Sequence, residues 1–171
     1  MKLVLALLLT AIAATAAAQS LPRLDTSGWK TLRDTELGFE VKHPPSWRVG
    51  RSTGSLESVL LGPPAEVGKA NVKSQFFVQR DRNPKGLTIE QWHADELTRV
   101  KMTPGIRFTN TTLGGRPAIL MEATNSMGKH FTFFTTAHKS DIFNVVIIQP
   151  AEQTELDRTH SAVLATLKLL D

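Results

Sequence analysis

Residues 50–54 read Gly-Arg-Ser-Thr-Gly. The spacing G-x-S-x-G is that of a nucleophile elbow, in which a sharp strand-to-helix turn lifts a serine hydroxyl above a sheet. Ser52 would be the nucleophile. Asp141 or Asp157, followed by His160, would complete the chain order Ser, Asp, His. The context argues the other way. The following SLESVLLG reads as β and reaches Gly62-Pro63-Pro64 within eight residues, leaving no room for the helix an elbow requires. His160 falls on the core-facing stripe of a helical segment. The motif is therefore read as a Gly/Ser-rich hairpin turn, and a small exported serine hydrolase using Ser52 stands as the second reading of function.

Other arrays are weaker. GPPAEVGK (62–69) approaches a phosphate-binding P-loop but fails twice: five residues separate its glycines, and Ala70 stands where Ser or Thr must hold magnesium. His130 and His138 share a face of one predicted strand, but eight residues span about 26 Å at about 3.3 Å each, so they cannot hold one ion. They are expected at strand ends near solvent, and His43 and His93 could approach in three dimensions. Glu36, Glu40, Asp141 and Glu152 are isolated, with no close pair for general acid–base work. No cysteine is present, which excludes disulfides, thiol chemistry and thiolate metal sites. Trp29, Trp47 and Trp92 could form a ligand platform, but such residues more often fill a core or its rim; an exposed Trp29 would be the most interesting surface feature. Asn110-Thr111-Thr112 fits a glycosylation sequon. No catalytic, cofactor-binding or metal-binding residue is assigned, no cofactor is expected, and the chain is read as not an enzyme.

The elements that would position any site follow from periodicity. Phe39 and Val41 alternate with Glu40 and Lys42, a strand with one buried face, stopped by Pro44-Pro45. Trp47-Arg48-Val49, 56–61 and 72–79 read as further strands, with RDRNPKG (80–86) as a loop. Residues 88–101 switch to helical period, with Ile89, Trp92, Leu97 and Val100 largely on one face; Thr88 and Gln91 form a capping box. Four strands follow at 106–113, 116–124, 130–138 and 141–149. Their breaks (Gly114-Gly115, NSMGK, Lys139-Ser140) are too short for anything but antiparallel pairing. The last is apolar on both faces and must be covered on both sides. After Pro150, Leu156, His160, Val163 and Leu167 stand at helical spacing. The expected fold class is α+β, an α/β/α sandwich with a six- to seven-stranded, mainly antiparallel sheet covered by helices.

The first residues, MKLVLALLLTAIAATAAAQS, carry a positive start, an apolar run and Ala16-Ala17-Ala18, the pattern of a secretory signal peptide over 1–18. The run is shorter than the roughly 20 apolar residues a membrane span needs. With no cysteine to lipidate, no membrane anchor is expected after cleavage, and the localisation is periplasmic or secreted. Without Lys2, 19 basic residues face 16 acidic ones, a net charge of +3, and they are scattered rather than striped; nucleic acid is not an expected partner.

The stretch GFEVKHPPSWRV also resembles the start of a PsbP-like domain, where a Gly-Phe/Tyr strand runs into a Pro-x-x-Trp corner. Gly38-Phe39, Pro44-Pro45 and Trp47 fill that pattern. The middle helix, Gly115-Arg116-Pro117-Ala118 at a hairpin start, and a final helix ending in LKLL follow in similar order. This chain has no tyrosine, which the family often places in these strands. The resemblance implies the PsbP-like and Mog-like superfamily, including DcrB-like envelope proteins, whose members are mostly non-catalytic partners. Residues 19–35 would be a lead-in and 36–171 one PsbP-like domain. The function expected is an exported, non-catalytic accessory or binding module contacting an unidentified envelope protein; a small-ligand or metal-binding periplasmic protein is a further alternative.

Overall fold

Two antiparallel sheets stack around a shared apolar layer. The computed structural model describes residues 24–53, 57–67, 73–102, 105–153 and 156–171. The expected signal peptide, 1–18, lies outside the described residues. The smaller sheet holds β1 (Lys30–Asp34), β2 (Phe39–His43) and β10 (Lys168–Leu169), with β2 in the middle. The larger has the order β3 (Arg48–Thr53), β4 (Glu57–Gly62), β5 (Gln75–Arg82), β9 (Asp141–Pro150), β8 (Lys129–His138), β7 (Arg116–Thr124), β6 (Arg107–Leu113). The described residues also hold three helical segments, α1 (Ile89–Trp92), α2 (Ala94–Lys101) and α3 (Arg158–Ala165). This is the expected α+β sandwich.

The connection between β5 and β6 explains the layers. β3, β4 and β5 form a meander, and the chain then carries α1 and α2 across to the far edge. It returns through β6, β7, β8 and β9 until β9 pairs with β5. One face of the large sheet packs on β2 and α3: Val59, Val78, Val145 and Phe134 form a row across four strands, beside Leu61, Phe76 and Ile147. Phe39, Val41, Val163 and Leu167 close this core from the other side. The helical pair covers the opposite face. β9, at the centre of the large sheet, is therefore buried almost throughout, as its two apolar faces require. The Gly114-Gly115 turn joins β6 to β7 with φ of 57° and 79°, the left-handed pair that a two-residue hairpin of this twist needs.

Several expectations shift. Residues 19–35 are not only a lead-in: β1 lies within them. Its exposed charges hide any period, and it is held by pairing with β2 and by Asp34, which accepts from the Leu37 amide (2.8 Å) and pairs with Arg51. The strand at 72–79 is displaced to 75–82. Arg80 and Arg82 remain in the ladder because Asp141, on the neighbouring strand, pairs with both. The helix over 88–101 forms with its capping box but is interrupted at His93, the C-cap of α1. The final helix stops at Ala165 rather than running into LKLL. The Thr166 hydroxyl donates to the Val163 carbonyl (2.7 Å) and accepts from the Lys42 amide (2.8 Å), and Lys168–Leu169 then pair with β2.

Candidate functional site

Ser52 lies within a strand, one residue from its end. β3 runs through Thr53, with Ser52 opposite Ser58 on β4, and residues 54–56 lie outside the described residues. The serine is exposed and no hydrogen bond joins it to an imidazole among the described residues. An elbow needs a strand-to-helix turn, and here a strand follows a strand. The P-loop-like stretch begins in β4 and leaves the described residues after Val67.

The histidines do not gather. His130 and His138 sit at the two ends of β8, but both are buried rather than near solvent. His130 Nδ1 is hydrogen-bonded to the Thr124 hydroxyl (3.0 Å), and His138 Nε2 donates to the Leu170 carbonyl (3.0 Å). The C-terminal residues supply the cover over His138, which single-strand reasoning could not supply. His43 belongs to β2 and His93 to the helical pair on the opposite face of the large sheet, so they do not approach. Burial lowers the His43 pKa; the Pro44 carbonyl opposes that shift and Lys30 adds to it. No group of three His, Asp or Glu side chains able to hold a metal ion occurs among the described residues. Trp29 is half-buried against the core, as is Trp47, so neither is an exposed platform. Asn110 is exposed on β6.

The structure does bring one Ser, His and Asp together. Asp157 Oδ2 lies 2.7 Å from His160 Nδ1, and His160 Nε2 lies 3.4 Å from Ser74 Oγ. Asp157 is also the N-cap of α3, accepting from the His160 amide (2.8 Å). His160 is thus the third residue of the helix and reaches back to its cap, as Glu does in a capping box. Its ring is 0% exposed and packs against Trp47, with centroids 5.3 Å apart. Burial raises the Asp157 carboxyl but is outweighed by hydrogen bonds from the His160 side chain and amide, by charge on His160 and by the Thr159 amide, so the net shift is downward. The array resembles a catalytic triad in connectivity, yet the His160 ring is shut off from solvent. It ties the start of α3 to the start of β5. The sequence signal for it was an Asp three residues before His160 at a predicted helix start; Ser74 had none.

A second polar cluster does face open space. Between the helical pair and the large sheet lies a cavity of about 370 Å³. Its floor is laid out in rows. Gln79, Asn144 and Thr135 stand side by side on β5, β9 and β8; one step along, Val146, Phe133 and Met121 make an apolar row. Leu97 covers it from α2 and His93 from the α1–α2 joint. The Thr135 hydroxyl donates to Asn144 Oδ1 (2.7 Å), and Asn144 Nδ2 donates to Asp81 Oδ2 (3.2 Å). Burial raises the Asp81 pKa, with the Asn144 hydrogen bond and nearby His93 opposing the shift. The sequence placed Asp81 in a loop, and nothing in its neighbourhood marked it.

With this geometry the molecule can be set beside known proteins. No family model matches the chain, and no curated protein matches it. Solved structures do. The fold is similar to that of cyanobacterial PsbP. The solution structure of CyanoP from Synechocystis sp. PCC 6803 gives a TM-score of 0.57 at 12% identity, covering 82% of this chain and 92% of that one. A Bacteroides thetaiotaomicron VPI-5482 protein gives 0.53 at 14% identity, covering 78% of this chain and 46% of that one, so this chain spans about half its length. What is shared at these identities is the fold. No helix among the described residues is long and apolar enough to cross a membrane.

Proposed function

We propose that the protein is an exported, non-catalytic accessory module that works by binding another protein of the bacterial envelope. One observation carries the reading: the His160 ring at the centre of the Ser74–His160–Asp157 array is fully buried, while the large sheet ends in two strands with free outer edges. β3 pairs only with β4, and β6 only with β7, among the described strands. β6 (RFTNTTL) exposes Thr109, Asn110 and Thr112 and carries one charge and no proline. Sheet edges are usually blunted by lysine, proline or bulges. An edge left open accepts an added strand from a partner, with main-chain hydrogen bonds supplying affinity. The likeness of fold to CyanoP is in keeping with this reading.

The test is a photo-crosslinking residue placed at Thr109 in the native envelope. One protein captured reproducibly from Thr109, and not from exposed Lys85, is the expected result. It should be lost when Asn110 is replaced by Lys. Equal capture from both positions, or none from Thr109, would remove the edge-binding role.

A further inference from the structure

The cavity under α1 and α2 is built for a ligand of definite polarity. Ligand pockets occupy about 300–1,000 Å³, are mainly apolar, and fix orientation with a few polar groups. This one, at about 370 Å³, falls within that range. On the sheet side its polar groups cluster on β5, β9 and β8. Thr135 donates to Asn144 and Asn144 donates to Asp81, so the chain of donors terminates on a carboxylate. Asp81 Oδ1 receives no hydrogen bond among the described residues. The described lining contains this one carboxylate and no lysine or arginine. Arg80 and Arg82, its neighbours in sequence, alternate to the other face of β5, where they pair with Asp141.

We propose that this cavity binds a small apolar amine, with its ammonium group on Asp81 and its hydrocarbon body on Val146, Phe133 and Met121. Partial burial of a carboxylate is unfavourable; nearby His93 offsets part of that cost, and a ligand ammonium would offset more while completing the unused oxygen. An anionic ligand would meet Asp81 as a like charge. A pure hydrocarbon would leave the second Asp81 oxygen facing it without a partner. Leu97 of α2 lines the cavity opposite the sheet. This inference stands independently of the edge-binding role, since the cavity opens under the helices and not along β6.

The experiment is an amide-resolved NMR titration of the ¹⁵N-labelled protein with three matched probes: 2-phenylethylamine, 2-phenylethanol and 3-phenylpropanoate. The amine should shift the amides of Asp81, Thr135, Asn144 and Val146 and bind about tenfold tighter than the alcohol, the scale of one partly desolvated charge pair. The anion should shift none of them. Asp81→Asn should abolish the preference for amine over alcohol. Leu97→Trp, which fills the cavity and leaves Asp81 intact, should abolish binding of both, and it serves as the test if Asp81→Asn does not fold. Equal binding of the three probes, shifts confined to other surfaces, or an amine preference that survives Asp81→Asn would overturn the proposal.

Discussion

Two Asp–His neighbourhoods, on opposite faces of the large sheet, have opposite characters. On the face covered by α3, Asp157 and His160 are in direct contact at 2.7 Å, beneath Trp47, and the carboxyl is held below its ordinary range. On the face covered by α1 and α2, Asp81 has His93 within electrostatic reach, opens on a cavity, and has its carboxyl raised by burial. The residue types are the same. The first carboxylate has its hydrogen-bonding capacity filled by a helix start, and the second is left half filled. A triad-like connectivity can thus be architecture, and the half-satisfied carboxylate on a cavity is the one proposed to meet a ligand.

Substitutions can break this comparison. The largest effect is expected at His160, whose ring is fully buried. His160→Ala should cost about 3 kcal/mol in chemical denaturation, the scale for emptying an aromatic-sized core site. His93→Ala should change stability by less than about 1 kcal/mol. Equal costs would mean the two neighbourhoods are both structural.

Asp157→Ala should cost about 1–2 kcal/mol by loss of the α3 cap. The Asp157 carboxyl is lowered on folding, so its contribution is present above the unfolded value near 3.8 and is lost as pH falls through the folded one. A denaturation series from pH 7 to about pH 2 should therefore show a steeper acid loss below the unfolded value in the wild type than in Asp157→Asn. Parallel curves would sever the cap from the observed shift.

Asp81 has the opposite sign. Its folded pKa lies above the unfolded value, so the native state gains stability as pH falls through that window, and the ionised carboxylate opposes folding above it. Asp81→Asn should be neutral or stabilising by up to about 1 kcal/mol at pH 7. A clear destabilisation in urea would show that Asp81 is held for structure.

The smallest effect sharpens the assignment of Ser74. Ser74→Ala should alter stability by less than about 1 kcal/mol, because its hydrogen bond to His160 is long at 3.4 Å. A fluorophosphonate probe should leave wild-type Ser74 unlabelled. Labelling that Ser74→Ala removes would convert the cap into a catalytic triad.

How much of this was legible beforehand varies with the kind of signal. The strands from 107 to 150 could be read because their alternation is strong and their turns are short; Gly114-Gly115 and Lys139-Ser140 leave antiparallel pairing as the only choice. The Thr88–Gln91 capping box was legible because its hydrogen bonds are local. β1 and β10 were not, since neither carries a period of its own, and each exists by pairing with β2. The end of β5 was read as a loop because Arg-Asp-Arg looks like solvent-facing chain until Asp141 and Asn144 arrive from a strand some sixty residues later. The same distance in sequence concealed Asp81 as a cavity residue. It also made Ser52 look a better partner for His160 than Ser74, since a motif is read along the chain and a hydrogen bond is formed across it.

The sequence by itself determined the α+β class, the antiparallel order of the second half and a β9 covered on both faces, because periodicity and turn length are properties of neighbouring residues. It also excluded thiol chemistry outright. Only the tertiary structure decided which serine meets His160, why both ends of β8 bury a histidine, and where a carboxylate faces an apolar cavity. Those depend on register between strands far apart in the chain, where a displacement of one residue turns every side chain to the other face.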